Sequence, residues 1–305
     1  VGRYLTEHTG FSQVVPVAGT IELKDPTGDS YTLALLQHYV EHQNIGWNHA
    51  LAYLDRFLAE RLADPAPDRG GEDPHRLFCD AIRLLGQRTG ELHQALAQAT
   101  DNPAFTPEPI IPDDIDAWCI QARQQAVATL DALEASRDNH EDESIREGIV
   151  RLLSLRQHLL DCLAPTRLYP ICDHRALKTR LHGNYHLGQV LLVQNDFIIT
   201  DFEGHPEQSL PARRTKHSPL RDVATMLRCF GYAGAVATTR ATAERPMDRH
   251  RLGPLVQGWE AETATAFVEG YFAATEGRAP LAYAPEWTTP LLEFFTLPET
   301  VGELQ

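Results

Sequence analysis

The chain has 305 residues, 43% of them hydrophobic, and a formal net charge of −15. That length and apolar content suffice for a sizeable core, in one large domain or two smaller ones. The acidic balance argues against broad contact with nucleic-acid phosphates or an anionic membrane surface, and no apolar run reaches the roughly 18 residues that span a bilayer. The first residues, VGRYLTEH, lack the apolar core and cleavage pattern of a signal peptide. Cys79, Cys119, Cys162, Cys172 and Cys229 are scattered, odd in number and form no CxxC, so reduced thiols in a cytoplasmic protein are expected.

In chain order, SQVVPVAGTIEL and YTLALLQHYV (within 12–40) read as two antiparallel strands around the turn signal DPTGDS (25–30). From Trp47 the apolar spacing becomes helical, with Leu51, Leu54, Phe57, Leu58 and Leu62 on one stripe. DPAPDRGGEDP (64–74) reads as a loop. Residues 75–99 predict a long helix whose stripe is Leu77, Phe78, Ala81, Leu85, Leu92 and Leu96. After a Pro-rich connector (102–112), helices are expected over 113–136 and 144–163, with HEDES (140–144) as a solvated helix start and not a metal site. GQVLLVQNDFIITDFEG (188–204) has two β-runs joined by a hairpin turn. Helices are expected again over 218–233, 258–275 and 286–304, the last interrupted at Pro298.

The stretch RLHGNYHLGQVLLVQNDFIITDFEG (180–204) carries the chemistry. A hairpin of this length brings its ends together, so Asn184, Gln189 and Asp201 are expected to converge. Asp201 supplies a hard anionic oxygen and Gln189 a neutral carbonyl oxygen. That pair suits Mg²⁺, which takes few protein ligands and completes its shell with water and phosphate oxygens. Metal, in-line geometry and a group to orient the acceptor hydroxyl are what phosphoryl transfer needs. His182 and His186 have the i, i+4 spacing of a helical zinc pair, but Gly183 and the following strand disfavour a helix there. His182 reads first as a loop histidine bonded to backbone carbonyls, and it is also carried as a catalytic candidate beside Asn184. His38, His42, His49 and His93 read as packing or surface residues. Arg213, Arg214 and Lys216 form a basic cluster that is either solvated or in contact with a phosphate or sugar hydroxyl. Arg221 and Asp222 stand where a helix start can brace the catalytic loop.

HGNYHLGQ with DFEG resembles the aminoglycoside-phosphotransferase branch of the kinase-like fold, and more narrowly the maltokinases. The same resemblance extends to GRYLTEHTGF (2–11), RTGELHQALA (88–97) and the RR-K-SPLRDVA-ML-F-YA stretch after DFEG. It implies an α+β, protein-kinase-like two-lobed fold. Residues 1–40 would be a truncated β-rich N-lobe with the hinge, and 41–305 a mostly helical C-lobe carrying the catalytic β-hairpin. It implies ATP and Mg²⁺ as cofactors, and maltose as the acceptor, giving maltose 1-phosphate on the route from trehalose to glycogen. A trehalose synthase domain, on the same chain or as a partner, is implied too, with no nucleic acid and no membrane. Position by position, Asn184 with His182 falls at the catalytic site and Gln189 and Asp201 at the metal. Gln37, Tyr39 and Val40 fall where a hinge bonds adenine, and His186, Glu203 and Arg213 on the substrate side.

Two departures shape the expectation. Asn184 stands where the family has an aspartate base. An amide orients a hydroxyl but takes no proton at neutral pH, and loss of a general base costs about 10²–10⁴-fold. VGRYLTE resembles the stretch after the helix C glutamate, so the phosphate-covering strands and the ATP-positioning lysine are expected upstream. The competing expectation is a non-catalytic kinase-like module that binds a sugar or a partner.

Overall fold

The computed structural model describes residues 1–26, 28, 30–63, 73–140, 143–173, 176–278, 281 and 285–302. Most of the loop expected over 64–74, two positions of the 25–30 turn, two of the acids in 140–144 and the last three residues of the chain lie outside the described residues. Helix α1 (Gly2–His8) precedes a ribbon of β1 (Val17–Lys24) and β2 (Ser30–Gln37). Next come β3 (Asn44–Ile45), α2 (Gly46–Ala63), α3 (Arg76–Leu96), β4 (Glu108–Pro109) and α4 (Pro112–Ser136). They are followed by α5 (Glu143–Ser154), α6 (Arg156–Cys162), α7 (Pro170–Asp173) and β5 (Leu177–Lys178). The hairpin β6 (Val190–Val193) and β7 (Asp196–Ile199) leads into α8 (Leu210–Arg213), α9 (Leu220–Ala241), α10 (Arg249–Thr275) and α11 (Pro285–Gly302). Among the described residues no helix is long and apolar enough to cross a membrane.

The two expected N-terminal strands pair antiparallel, and their apolar side chains stay in solvent: Ile21 is 64% and Leu36 65% exposed. The first residues are packed on the body. Tyr4 and Leu5 are buried, Tyr4 stacks on Phe105 at 3.8 Å, and the Gln13 carbonyl accepts from the Ile199 N–H.

In the hairpin, Val193 pairs with Asp196, which leaves a two-residue turn at Gln194 and Asn195. Both have positive φ, 49° and 66°, the pairing a type I′ turn demands because its twist matches that of the strands. On the other edge β6 pairs with β3, the strand that runs straight into α2.

Two helical expectations change. The helix read over 144–163 is two, α5 and α6, with a turn at Leu155 where ψ rises to 2°. Leu77, assigned to the α3 stripe, is 83% exposed. The buried face is Phe78, Ile82, Leu85, Thr89, His93 and Leu96, and Leu77 lies about 100° round the helix from Phe78. In addition, α11 continues through the position of Pro298.

Helices α3 and α10 cross backbone to backbone. A Cβ on Gly86 would sit 2.0 Å from the Phe267 carbonyl oxygen, and one on Gly270 1.9 Å from that of Arg83. One turn along, a Cβ on Gly90 would lie 2.7 Å from the Ala274 Cβ. Glycine costs a helix about 1 kcal/mol relative to alanine, so the contact must outweigh that. Gly270→Ala is therefore expected to lower the melting temperature by about 5 °C or more. Rigid main-chain atoms must separate, and overpacking of this kind costs about 1–3 kcal/mol. An unchanged or raised melting temperature would show that the crossing is not this close.

Candidate functional site

The loop 181–189 is fixed from beneath by one carboxylate. Asp222, on the first turn of α9, is 1% exposed. Its Oδ2 accepts from the His182 N–H (2.9 Å) and meets His93 Nε2 (3.2 Å), while Oδ1 accepts from the Gly183 N–H (3.0 Å). Burial pushes the Asp222 carboxyl up. The hydrogen bond and charge of His93, with the loop donors, outweigh that and hold it below the usual carboxylate range. His93 Nδ1 bonds in turn to the Tyr271 hydroxyl, and Tyr185 bonds Thr89, so helices α3, α9 and α10 all anchor the loop. The brace expected of Asp222 is what the structure shows. Arg221, expected beside it as a brace, instead lines the cavity that contains Asn184.

His182 corrects the expectation of a catalytic role. It is buried between Tyr185 and Phe202, and its Nε2 bonds the Thr200 carbonyl at 2.8 Å. Nδ1 accepts from the Asn184 N–H at 3.4 Å. Burial lowers its pKa, in keeping with a neutral ring whose two nitrogens both serve the loop backbone. It is a positioning residue.

Gln189 and Asp201 converge: the Gln189 amide nitrogen donates to Asp201 Oδ2 at 2.9 Å. The Gln189 amide oxygen and the second Asp201 oxygen remain for a cation. Asp201 adopts φ +60°, a left-handed conformation that aspartate tolerates better than most residues. Gly183 (φ +81°) and Gly204 (φ +77°) bring the two loops together, since a Cβ on Gly183 would touch the Gly204 Cα at 3.5 Å. Among the described residues no group of three His, Cys, Asp or Glu side chains could cage a metal. A two-ligand site of this kind fits Mg²⁺, which draws the rest of its shell from water and phosphate.

Two cavities flank the loop. Asn184 and Gly183 line one of about 370 Å³, with Gln121 and Gln125 of α4, His205, Glu207 and Gln208 beyond DFEG, and Arg221, Asp222, Thr225 and Arg228 of α9. A second, of about 480 Å³, is walled by Trp47 and Tyr232, whose rings stack at 5.4 Å, and by His186 and Arg228. Arg228 borders both. His186 Nδ1 accepts from the Gly188 N–H at 3.1 Å, and burial holds the ring neutral, so its Nε2–H is left to donate.

The other expected residues are placed as follows. Gln37 ends β2 opposite Val17, Tyr39 is 87% exposed, and the Val40 carbonyl bonds the His42 ring. This segment links the ribbon to β3 and borders neither cavity. Glu203 is exposed and lines neither cavity. Arg213 is not free for a sugar. Its guanidinium donates to the Gln208 and Pro206 carbonyls and its stem packs over Gly204. Lys216 is tied to Glu108 and the Pro103 carbonyl, so the basic cluster is largely structural. Residues not singled out for chemistry include Gln121, Gln125, Glu207, Arg228 and Tyr232. One signal was available: Arg221, Thr225, Arg228 and Tyr232 share a face of α9 at helical spacing.

No family model matches the chain. It is 27% identical over 187 residues to a glucosamine kinase of Streptacidiphilus jiangxiensis, a match covering 61% of this chain and 36% of the relative. It is 26% identical over 192 residues to a glucosamine kinase of Mycolicibacterium smegmatis (strain ATCC 700084 / mc(2)155), covering 63% and 40%. Its relatives are sugar kinases. The matches thus span about two fifths or less of the curated relatives' length. A glucosamine kinase solved with glucosamine, ADP and inorganic phosphate superposes with a TM-score of 0.71 at 20% identity, over 97% of this chain and 64% of that one. A second crystal form of glucosamine kinase gives the same TM-score at 18% identity. The fold is therefore that of these sugar kinases. The maltose acceptor and trehalose synthase partner implied by the motifs gain no support from them.

Proposed function

We propose that the chain is the acceptor- and metal-binding part of an ATP-dependent sugar kinase with a two-lobed kinase-like fold. The observation that carries the proposal is the meeting of Gln189 and Asp201 at the end of the loop on which Asn184 lines a cavity. The neighbour bound to glucosamine, ADP and phosphate supports glucosamine as the acceptor and ATP as the donor. Mg²⁺, when held by the Asp201 carboxylate and the Gln189 amide oxygen, would neutralise charge on the phosphates. Asn184 orients the acceptor hydroxyl. Asp222 and His182 hold Asn184 in place, so the geometry is fixed before substrate arrives. The segment Gln37–Val40 would bond adenine through its backbone.

One feature favours a second acceptor. The cavity walled by Trp47 and Tyr232 adjoins the first, and Tyr232 is 50% exposed. An aromatic wall with a neutral imidazole and a guanidinium suits another sugar ring. That arrangement, with the HGNYHLGQ motif, keeps maltose as the alternative. ADP release by the full-length protein with Mg²⁺-ATP separates the two. Higher kcat/KM for glucosamine than for maltose is the expected result. The reverse order would transfer the assignment to the disaccharide, and no release with either would leave a binding module.

A further inference from the structure

Asn184 leaves the acceptor hydroxyl without its usual proton acceptor, yet the cavity around it is rich in polar groups. The amides of Gln121, Gln125 and Gln208 are not basic, and the arginines only donate. Asp222 is buried, with both oxygens engaged by the loop N–H groups and His93. His205 Nδ1 accepts from the Glu207 N–H at 3.4 Å, so that lone pair is already engaged. Among the described residues lining this cavity, Glu207 is the exposed carboxylate.

The loop that carries Glu207 is held in place. Arg213 clamps the carbonyls on either side of it, Pro206 at 2.5 Å and Gln208 at 2.9 Å. The Arg213 stem lies against Gly204, whose φ of +77° turns the chain from DFEG into this loop. The clamp holds the backbone that carries Glu207 at the cavity that Asn184 also lines.

We infer that Glu207 is the general base of this chain, replacing from the same cavity the aspartate that position 184 lacks. The inference rests on the phosphotransfer reading above. The acceptor hydroxyl oxygen forms a bond to the γ-phosphorus of ATP, and the bond from that phosphorus to the β,γ-bridging oxygen breaks, its electron pair leaving with ADP. The hydroxyl proton passes to a Glu207 carboxylate oxygen. Asn184 keeps the role of orienting the hydroxyl.

A mutant cycle with pH profiles tests this on the full-length protein. Glu207→Gln is expected to lower kcat by about 10²–10⁴-fold and to remove the acid limb of the kcat–pH profile. Glu207→Asp should retain that limb. In an Asn184→Asp background, where the near carboxylate is restored, Glu207→Gln should cost less than about tenfold. Glu207 is exposed, so melting temperatures should not move. An active parent whose kcat and acid limb survive Glu207→Gln would overturn the inference alone. So would a variant that raises KM for glucosamine and leaves the profile intact, because Glu207 would then anchor the ammonium group. A parent that transfers no phosphoryl group would overturn the inference together with the reading beneath it.

Discussion

Asp222→Ala is expected to lower the melting temperature by about 10 °C or more and to abolish phosphotransfer with it. The carboxylate is 1% exposed and meets three partners, the His182 and Gly183 N–H groups and His93 Nε2. Alanine leaves these groups in a dry interior with nothing to accept from them. Each unsatisfied buried donor costs about 1–3 kcal/mol, and more than one is left here. At about 2–4 °C per kcal/mol for a chain this large, even the low end is a large shift. The damage should be local first. Hydrogen exchange at the His182 and Gly183 amides should speed up under conditions where the rest of the core stays protected. A change below about 2 °C, with both amides still protected, would mean that the loop is held by something else.

Asp201→Asn is expected to behave in the opposite way, losing activity and keeping the fold. The side chain is exposed and makes one hydrogen bond, to Gln189 at 2.9 Å. Asparagine has the same shape and accepts a φ of +60° about as well as aspartate. The backbone therefore has no reason to move. What is lost is the negative charge that would hold a cation against the phosphates, and a preorganised electrostatic contact of this kind is worth about 10²–10³ in kcat or more. Calorimetry with parallel ADP-release kinetics separates the two effects. Retained activity would place the metal elsewhere, and a large drop in melting temperature would make Asp201 a structural residue.

The site was legible where local pattern fixes geometry. Two β-runs around Gln194 and Asn195 allow one register, which brings Gln189 and Asp201 together. Asp222, at the helix start that Ser218-Pro219 signals, could be read as a brace for the loop. What escaped depended on contacts remote in sequence. Gly86 and Gly90 are visible as a four-residue spacing, but their meaning lies with Gly270 and Ala274. Tyr232 was read as one more residue of α9, and only the folded chain brings its ring to Trp47 on α2. For Arg213 and Lys216 the choice between solvent and ligand stayed open, because a sequence does not show the carbonyls and carboxylate that engage them. The cavity around Asn184 was the hardest to read, since it is assembled from α4, α9 and two loops.

Phosphorus NMR of the full-length protein incubated with Mg²⁺-ATP and glucosamine tests the central claim most directly. Loss of the γ-phosphate signal is expected, matched by the rise of ADP and of a new sugar phosphomonoester resonance. ATP that stays intact, or that yields only inorganic phosphate with no sugar phosphate, would contradict it.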